Sequence, residues 1–278
     1  MKLSKINILE ALKIARSKID SLDSELLLSF VKKVERSYLV THEKEILTAN
    51  EKKLFLKLVD ERESKKPLAY LINQKGFWKN DFYVDSSVLI PRPETELLVE
   101  KILEHNLDGK DLLELGVGSG IISISLGLEK EKLNLLGTEK SLNALMIANK
   151  NSIRLQAKNI VFINHDWNNK WLFSKMDYIV SNPPYVDENE LEGDEDGIWF
   201  EPKEALFSKD EGMKDLKTII SKSLNFLKND GLLFLEHSPF QAKKIIKEAK
   251  KAGYSSCKQF KDYNLSLIHI SEPTRPLD

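Results

Sequence analysis

Residues 111–120 read Asp-Leu-Leu-Glu-Leu-Gly-Val-Gly-Ser-Gly, and the rest of the chain takes its place around them. The first half, DLLEL, is a short apolar run of the kind that forms a strand buried on both faces. The second half has glycine at every other position, and residues 119–128 then carry the apolar content of a helix. A strand that breaks at glycines and turns into a helix opens a βα unit whose backbone amides can approach a ligand closely. The GxGxG spacing differs from the dinucleotide fingerprint GxGxxG.

Downstream, strand and helix patterns alternate. LNLLGTE (133–139), NIVFINHD (159–166), MDYIVSN (176–182), GLLFLEH (231–237) and YSSCKQF (254–260) read as strands. Helical patterns occupy 141–155, 213–228 and 239–251. This alternation predicts an α/β fold, a parallel sheet with helices on both faces and ligands at the carboxyl ends of its strands. Upstream, residues 1–74 read as a small helical bundle. Ile8, Leu12, Ala15 and Ile19 share one helix face, and Asp23 or Ser24 is the expected cap of a second helix carrying Leu27, Phe30, Val31 and Val34. Thr41 offers a cap before EKEIL, residues 49–63 form a further helix, and Pro67 marks another helix start. Between the two parts, GFWKNDFYVDSSVLI (76–90) predicts a β-hairpin linker, and PRPETELLVEKILEH then begins a helix near Pro93.

Composition narrows the function classes. The 278 residues are 41% hydrophobic and 31% charged, enough for a sizeable core and against disorder as the dominant state. No window approaches the roughly 18 uninterrupted apolar residues of a membrane span. The N-terminus lacks the continuous apolar core of a secretory signal. Lys and Arg number 42 and Asp and Glu 43, leaving a net charge of −1. That balance argues against a partner held by phosphate neutralisation. Cys257 is the only cysteine, so no internal disulfide forms and a cytoplasmic setting fits. The five histidines show no metal-ligand spacing, and no metal is expected.

Several constellations at strand ends carry candidate chemistry. Glu114, Gly116, Val117, Gly118, Ser119 and Gly120 form the first, with Glu114 offering a carboxylate to a charged methionine moiety; an ordinary βα turn would look the same. Glu139 lies 19 residues after Gly120, about where an acidic residue accepts from both hydroxyls of a ribose, although a surface Glu at a strand end is common. Asp166 can accept from an adenine amino group, and Trp167 can cover the ring or simply belong to the core. Asn182-Pro183-Pro184-Tyr185 follows the fourth strand. Pro183 keeps Asn182 out of the helical region, and the two prolines remove two N–H donors and stiffen the turn. What remains is acceptor-rich: the Asn182 side-chain oxygen and the Pro183 carbonyl suit a planar NH2 group, and Tyr185 can pack against its plane. Asn182, Pro183 and Tyr185 are therefore the candidate catalytic residues, and Asn182, Pro183, Pro184 and Tyr185 the candidate substrate contacts. Loop 186–199 has seven acidic residues and no basic one, which fits a solvated loop, a lid or a docking surface for a basic protein, with Glu201 placed to anchor its return.

Residues 66–99, GVGSG (116–120), NPPY (182–185), FEP (200–202), ALFSKDEGM (205–213) and LEHSPFQ (235–241) together resemble the peptide chain release factor N5-glutamine methyltransferases, over essentially residues 1–264. PRPETE combined with NPPY is specific to that family, whereas NPPY alone is shared with enzymes that methylate adenine or cytosine amino groups. The resemblance implies an N-terminal helical substrate-recognition domain (1–74), a β-hairpin linker (75–91) and a Rossmann-like class I S-adenosylmethionine-dependent methyltransferase domain (92–264). Cofactor-binding roles carry over to Gly116–Gly120, Glu139, Trp167 and Asn182, and substrate contacts to Asn182–Tyr185. Glu114 and Glu139 stand where the family more often has Asp, which keeps the carboxylate on a longer arm. The implied reaction methylates N5 of the glutamine in the GGQ motif of class I release factors with S-adenosyl-L-methionine. A cytoplasmic monomer with no nucleic-acid or membrane requirement is implied. The alternatives are a ribosomal protein glutamine methyltransferase and an adenine N6-methyltransferase; the near-neutral charge speaks against the latter.

The tail LSLIHISEPTRPLD (265–278) does not continue the family's pattern of a polar turn and a closing strand. LSLIHISEPTR resembles the translation of a sequencing-library adaptor, so 265–278 is expected to be non-native and strand 254–260 to lack its antiparallel partner, an exposed edge.

Overall fold

The computed structural model describes residues 5–187, 189, 197–261 and 267–273. The chain divides into two compact units, one of Met1–Gln74 with Asp194–Phe200 and one of Lys75–Gly193 with Glu201–Asp278.

The first unit contains α1 (Ile8–Arg16), α2 (Ser21–Lys32), α3 (Arg36–Thr41), α4 (Ala49–Glu63) and α5 (Leu68–Ile72). The apolar face read from the sequence packs: Ile8, Ala11, Leu12 and Ala15 join Leu27, Leu28, Phe55 and Val59 in one core. Asn7 and Glu10 close a reciprocal cap at the start of α1, with Glu10 N–H donating to Asn7 Oδ1 at 2.8 Å and Asn7 N–H to Glu10 Oε2 at 3.0 Å. Two boundaries differ from the sequence reading. Asp20, and not Asp23 or Ser24, caps α2 by accepting from Leu22 N–H at 2.7 Å. Thr41 ends α3 instead of starting a helix, because the following segment pairs with the chain start: Ile8 N–H donates to Glu45 O at 2.9 Å and Leu47 N–H to Ile6 O at 3.0 Å.

The second unit begins with the hairpin β1 (Lys75–Phe77) and β2 (Asn80–Phe82). The hairpin is shorter than predicted over 76–90. Tyr83 leaves the ladder because its N–H donates to Asn151 Oδ1 at 2.8 Å and its carbonyl accepts from Asn151 Nδ2 at 2.9 Å. There follow α6 (Glu96–Leu103), β3 (Asp111–Leu115), α7 (Ile121–Glu129), β4 (Asn134–Glu139), α8 (Leu142–Leu155), β5 (Ile160–Asn164) and β6 (Met176–Ser181). The chain continues with α9 (Lys203–Leu206), α10 (Lys214–Phe226), β7 (Leu227–His237), α11 (Ala242–Ala252), β8 (Tyr254–Lys261) and β9 (Leu267–Pro273).

The sheet order is β5-β4-β3-β6-β7-β9-β8. The first five strands in that order run parallel. Successive residues feed opposite faces: Leu112, Val180, Leu232 and Phe234 enter one core and Leu113, Ile179, Leu233 and Leu235 the other. Chain order reverses between β3 and β6, so Leu115 lies beside both Thr138 of β4 and Ser181 of β6. A crevice at the carboxyl ends of these strands is the ligand position of a doubly wound sheet.

The expectation for the chain end is corrected. β9 runs antiparallel to both β7 and β8, with Ile270 opposite Phe234 and Lys258, so β8 does not stand without a partner. Strand pairing is made by backbone groups, and a segment of alternating β-formers such as Leu-Ile-His-Ile can be templated by two waiting edges.

Candidate functional site

Three strand ends converge. After β3 the backbone enters the left-handed region at Gly116 (φ 75°), Gly118 (φ 54°) and Gly120 (φ 83°), a conformation that favours glycine. Gly116 and Val117 N–H both donate to Thr138 O, at 2.8 and 3.0 Å, which welds this turn to the end of β4. A Cβ at Gly116 would stand 2.7 Å from the Trp167 ring, so this position admits nothing larger than hydrogen. A Cβ at Gly118 would meet nothing within 4 Å; it faces open space.

Glu139 ends β4 and is largely buried. Its two oxygens accept from Gly118 N–H at 3.0 Å and Ser141 N–H at 2.9 Å, so the carboxylate is fixed across the glycine turn. Glu114 is fully buried, with Ser123 N–H donating to its Oε2 at 2.9 Å and the Ser123 hydroxyl to the same atom. Burial pushes its carboxyl up to about 8, against the pull of those bonds. Much of the Glu114 population is therefore protonated at neutral pH.

Trp167 is buried, and its Nε1–H donates to Asp215 Oδ1 at 3.0 Å while the Ser208 hydroxyl holds Asp215 Oδ2 at 2.6 Å. Asp166 instead spends Oδ1 on Asn168, accepting from its N–H at 2.8 Å and its Nδ2 at 2.9 Å.

Asn182 follows β6, and its Nδ2 donates to Thr95 Oγ1 at 3.2 Å. Tyr185 turns its hydroxyl inward, donating to Glu236 Oε1 at 3.2 Å. Burial raises the Tyr185 hydroxyl above its ordinary value and pushes the Glu236 carboxyl up to about 7. Glu201 accepts from Ile90 N–H at 2.9 Å and Arg92 Nη2 at 2.5 Å, tying the return of loop 186–199 to the PRPETE segment. Residues 188 and 190–196 of that loop lie outside the described residues.

A cavity of about 540 Å³ opens over these strand ends. That volume lies within the roughly 300–1,000 Å³ range of small-molecule sites. Glu114, Gly116, Val117, Gly118, Ser119, Glu139, Trp167, Asn182 and Pro184 line it, together with Ser86–Leu89, Thr95 and Pro202–Ala205. Gly120, Asp166, Pro183 and Tyr185 stand outside the lining. Among the described residues no group of His, Cys, Asp and Glu could hold a metal ion, and no helix is long and apolar enough to cross a membrane.

Sequence reasoning did not single out Thr95, Asp215 or Glu236. For Glu236 a signal existed: a lone acid ending the apolar run GLLFLEH has to be buried where that strand is buried. Thr95 and Asp215 carry no such mark, since their partners are distant in sequence.

Residues 93–195 match the methyltransferase small domain family, and residues 7–72 match the PrmC N-terminal domain family. A release factor glutamine methyltransferase of Buchnera aphidicola subsp. Acyrthosiphon pisum is 38% identical over 244 residues, covering 87% of each chain. One from Shewanella oneidensis is 33% identical over 250 residues, covering 90% of this chain and 87% of its own. Among solved structures, a methyltransferase from Pyrococcus furiosus superposes with a TM-score of 0.53 at 16% identity, covering 81% of this chain and 98% of its own. A ribosomal protein L11 methylase from Lactobacillus delbrueckii subsp. bulgaricus gives 0.52 at 16% identity, over 69% of this chain and 84% of its own. These two likenesses speak to the fold alone.

Proposed function

The chain belongs to the release factor glutamine methyltransferase family, and from that premise we propose that it transfers a methyl group from S-adenosylmethionine to N5 of the glutamine in the GGQ motif of a class I release factor. The observation that carries the site assignment is the single cavity onto which the glycine turn, Glu139 and Asn182 all open.

The residues present suit the cofactor. The open space over Gly118 admits close approach of a ligand to the backbone. Each Glu139 oxygen accepts one described backbone N–H and has a further lone pair for ribose hydroxyls. Val117 and Trp167 give apolar surface for a purine. When bound, S-adenosylmethionine supplies an electrophilic methyl group on a sulfonium.

The protein's task is to make a poor nucleophile react. The lone pair of a glutamine amide nitrogen is delocalised into its carbonyl. The Thr95 contact occupies the NH2 end of Asn182 and leaves its Oδ1 as an acceptor. Accepting the two substrate N–H bonds at Asn182 Oδ1 and the Pro183 carbonyl orients the nitrogen and raises density on its lone pair. Positioning of this kind supplies much of the acceleration in such transfers. The nitrogen gains a methyl group, loses one proton to solvent and ends as a neutral secondary amide. No strong base is needed before transfer.

The test offers the protein labelled S-adenosylmethionine with a release factor, a ribosomal protein and DNA in parallel. Label is expected on the release factor alone, and to vanish when its GGQ glutamine is replaced. Label on the other substrates, or label that survives the replacement, refutes the reading.

A further inference from the structure

Residues 201–206, Glu-Pro-Lys-Glu-Ala-Leu, form a strap that follows the acidic loop, and Pro202–Ala205 within it line the cavity. Pro202 has no N–H to satisfy and stands just before α9, where the short helix starts. Both ends of the strap are buried and tied. Glu201, 5% exposed, accepts from Ile90 N–H and from the Arg92 guanidinium. Leu206 is also buried, and its carbonyl accepts from Val186 N–H at 3.0 Å. The middle is held differently. Glu204 pairs with Lys140 Nζ at 2.8 Å, and the two side chains are 75% and 35% exposed.

Lys140 comes directly after Glu139, so it belongs to the wall supplied by the end of β4 and the start of α8. Both partners line the cavity and both reach solvent, which places the pair at its rim and joins two walls across it. Breaking a buried charge pair such as Glu201 with Arg92 leaves an uncompensated charge and is costly. An exposed pair is a weak tie, because water competes for both charges and salt screens them. The strap is therefore fixed at its ends and lightly fastened in its middle. The light tie is next in sequence to Glu139, the proposed acceptor for the cofactor's ribose.

We infer that the Lys140–Glu204 pair is a releasable bar across the cavity rim, and that S-adenosylmethionine and its demethylated product pass when the bar is open. Opening needs only side-chain rotation and leaves the buried ends of the strap in place. Exposed side chains change rotamer in picoseconds to nanoseconds, so both rates of exchange scale with the fraction of time the bar is open. Entry and exit use the same opening, so the bar slows both and leaves affinity nearly unchanged. This inference rests on the proposed reading of the cavity as the cofactor site.

The experiment measures association and dissociation rates and Kd of S-adenosylhomocysteine by stopped-flow tryptophan fluorescence, with Trp167 in the cavity wall as the reporter. Wild type is compared with Lys140→Met, Glu204→Gln, the double variant and the charge swap Lys140→Glu/Glu204→Lys, and melting temperatures check the fold. Each single variant is expected to raise both rates about 2- to 5-fold, the scale of one exposed ion pair, with Kd little changed. The double variant should be no faster than either single one, because both remove the same contact. The charge swap should bring both rates back toward wild type. Added salt should speed exchange in wild type and much less in the single variants. Wild-type rates in either folded single variant overturn the bar. So do single effects that multiply in the double variant, and so does a rise in dissociation alone with a weaker Kd, which marks a direct ligand contact. Failure of wild type itself to bind S-adenosylhomocysteine strikes the cofactor reading instead.

Discussion

Thr95 and Asn182 lie 87 positions apart in the chain, yet the Asn182 side-chain amide donates to the Thr95 hydroxyl oxygen at 3.2 Å. The PRPETE segment therefore braces the NPPY turn, and both residues line the same cavity. The distance between a specific tetrapeptide and a working acceptor is bridged by contacts of this kind.

Asn182→Ala removes the acceptor without touching the glycine turn or Glu139. Methylation is expected to fall by at least about 100-fold, in line with loss of one preorganised polar group at a reacting centre. Cofactor affinity should keep most of its wild-type value, and the melting temperature should change little. Turnover within tenfold of wild type would remove Asn182 from its assigned role.

Glu139→Ala should weaken S-adenosylmethionine binding by roughly 10- to 100-fold, because hydrogen bonds to a charged partner contribute about 1.5–3 kcal/mol. It also releases the Gly118 and Ser141 amides that the carboxylate now holds. Glu139→Asp keeps the charge on a shorter arm and should retain a larger share of the affinity. Calorimetric titration with the cofactor measures both; unchanged affinity in the alanine variant would dismiss the assignment.

Gly116→Ala places a methyl group 2.7 Å from the Trp167 ring at a φ of 75°. Overpacking and left-handed strain of this kind cost about 1–3 kcal/mol each. The variant should melt lower and bind cofactor poorly, since Trp167 has to shift. Differential scanning calorimetry checks the first effect, and a melting temperature equal to that of wild type would contradict it.

Stability should decline as pH rises through neutrality. Burial raises Glu114 from 4.5 to about 8 and Glu236 from 4.5 to about 7. Between the ordinary and raised values the folded chain holds more protons than the unfolded one, so unfolding free energy falls with pH. The contribution is fully present below about pH 4.5 and is lost as pH rises through about 7 for Glu236 and about 8 for Glu114. Glu114→Gln removes the larger of these dependences. Relative to wild type, its stability should improve by roughly 2–3 kcal/mol between pH 5.5 and 8.5. Denaturant titrations at the two pH values measure the difference; an equal gap at both would show that Glu114 does not titrate as stated.

The alternation of strands and helices, the glycine turn and the NPPY tetrapeptide were legible in the chain, because periodicity and turn chemistry are local properties. So was the convergence of Gly116, Glu139 and Asn182, since each closes a strand and parallel strands share one carboxyl edge. Other features were not local. Thr41 ends a helix because the segment after it pairs with the chain start, partners that only folding supplies. Residues 267–273 gain two strand neighbours because β7 and β8 leave edges for them, a property of the sheet and not of the segment. The orientation of the Asn182 amide is of the same kind. Its residue type was readable from the motif, but which end faces the cavity depends on a threonine brought to it from 87 positions away.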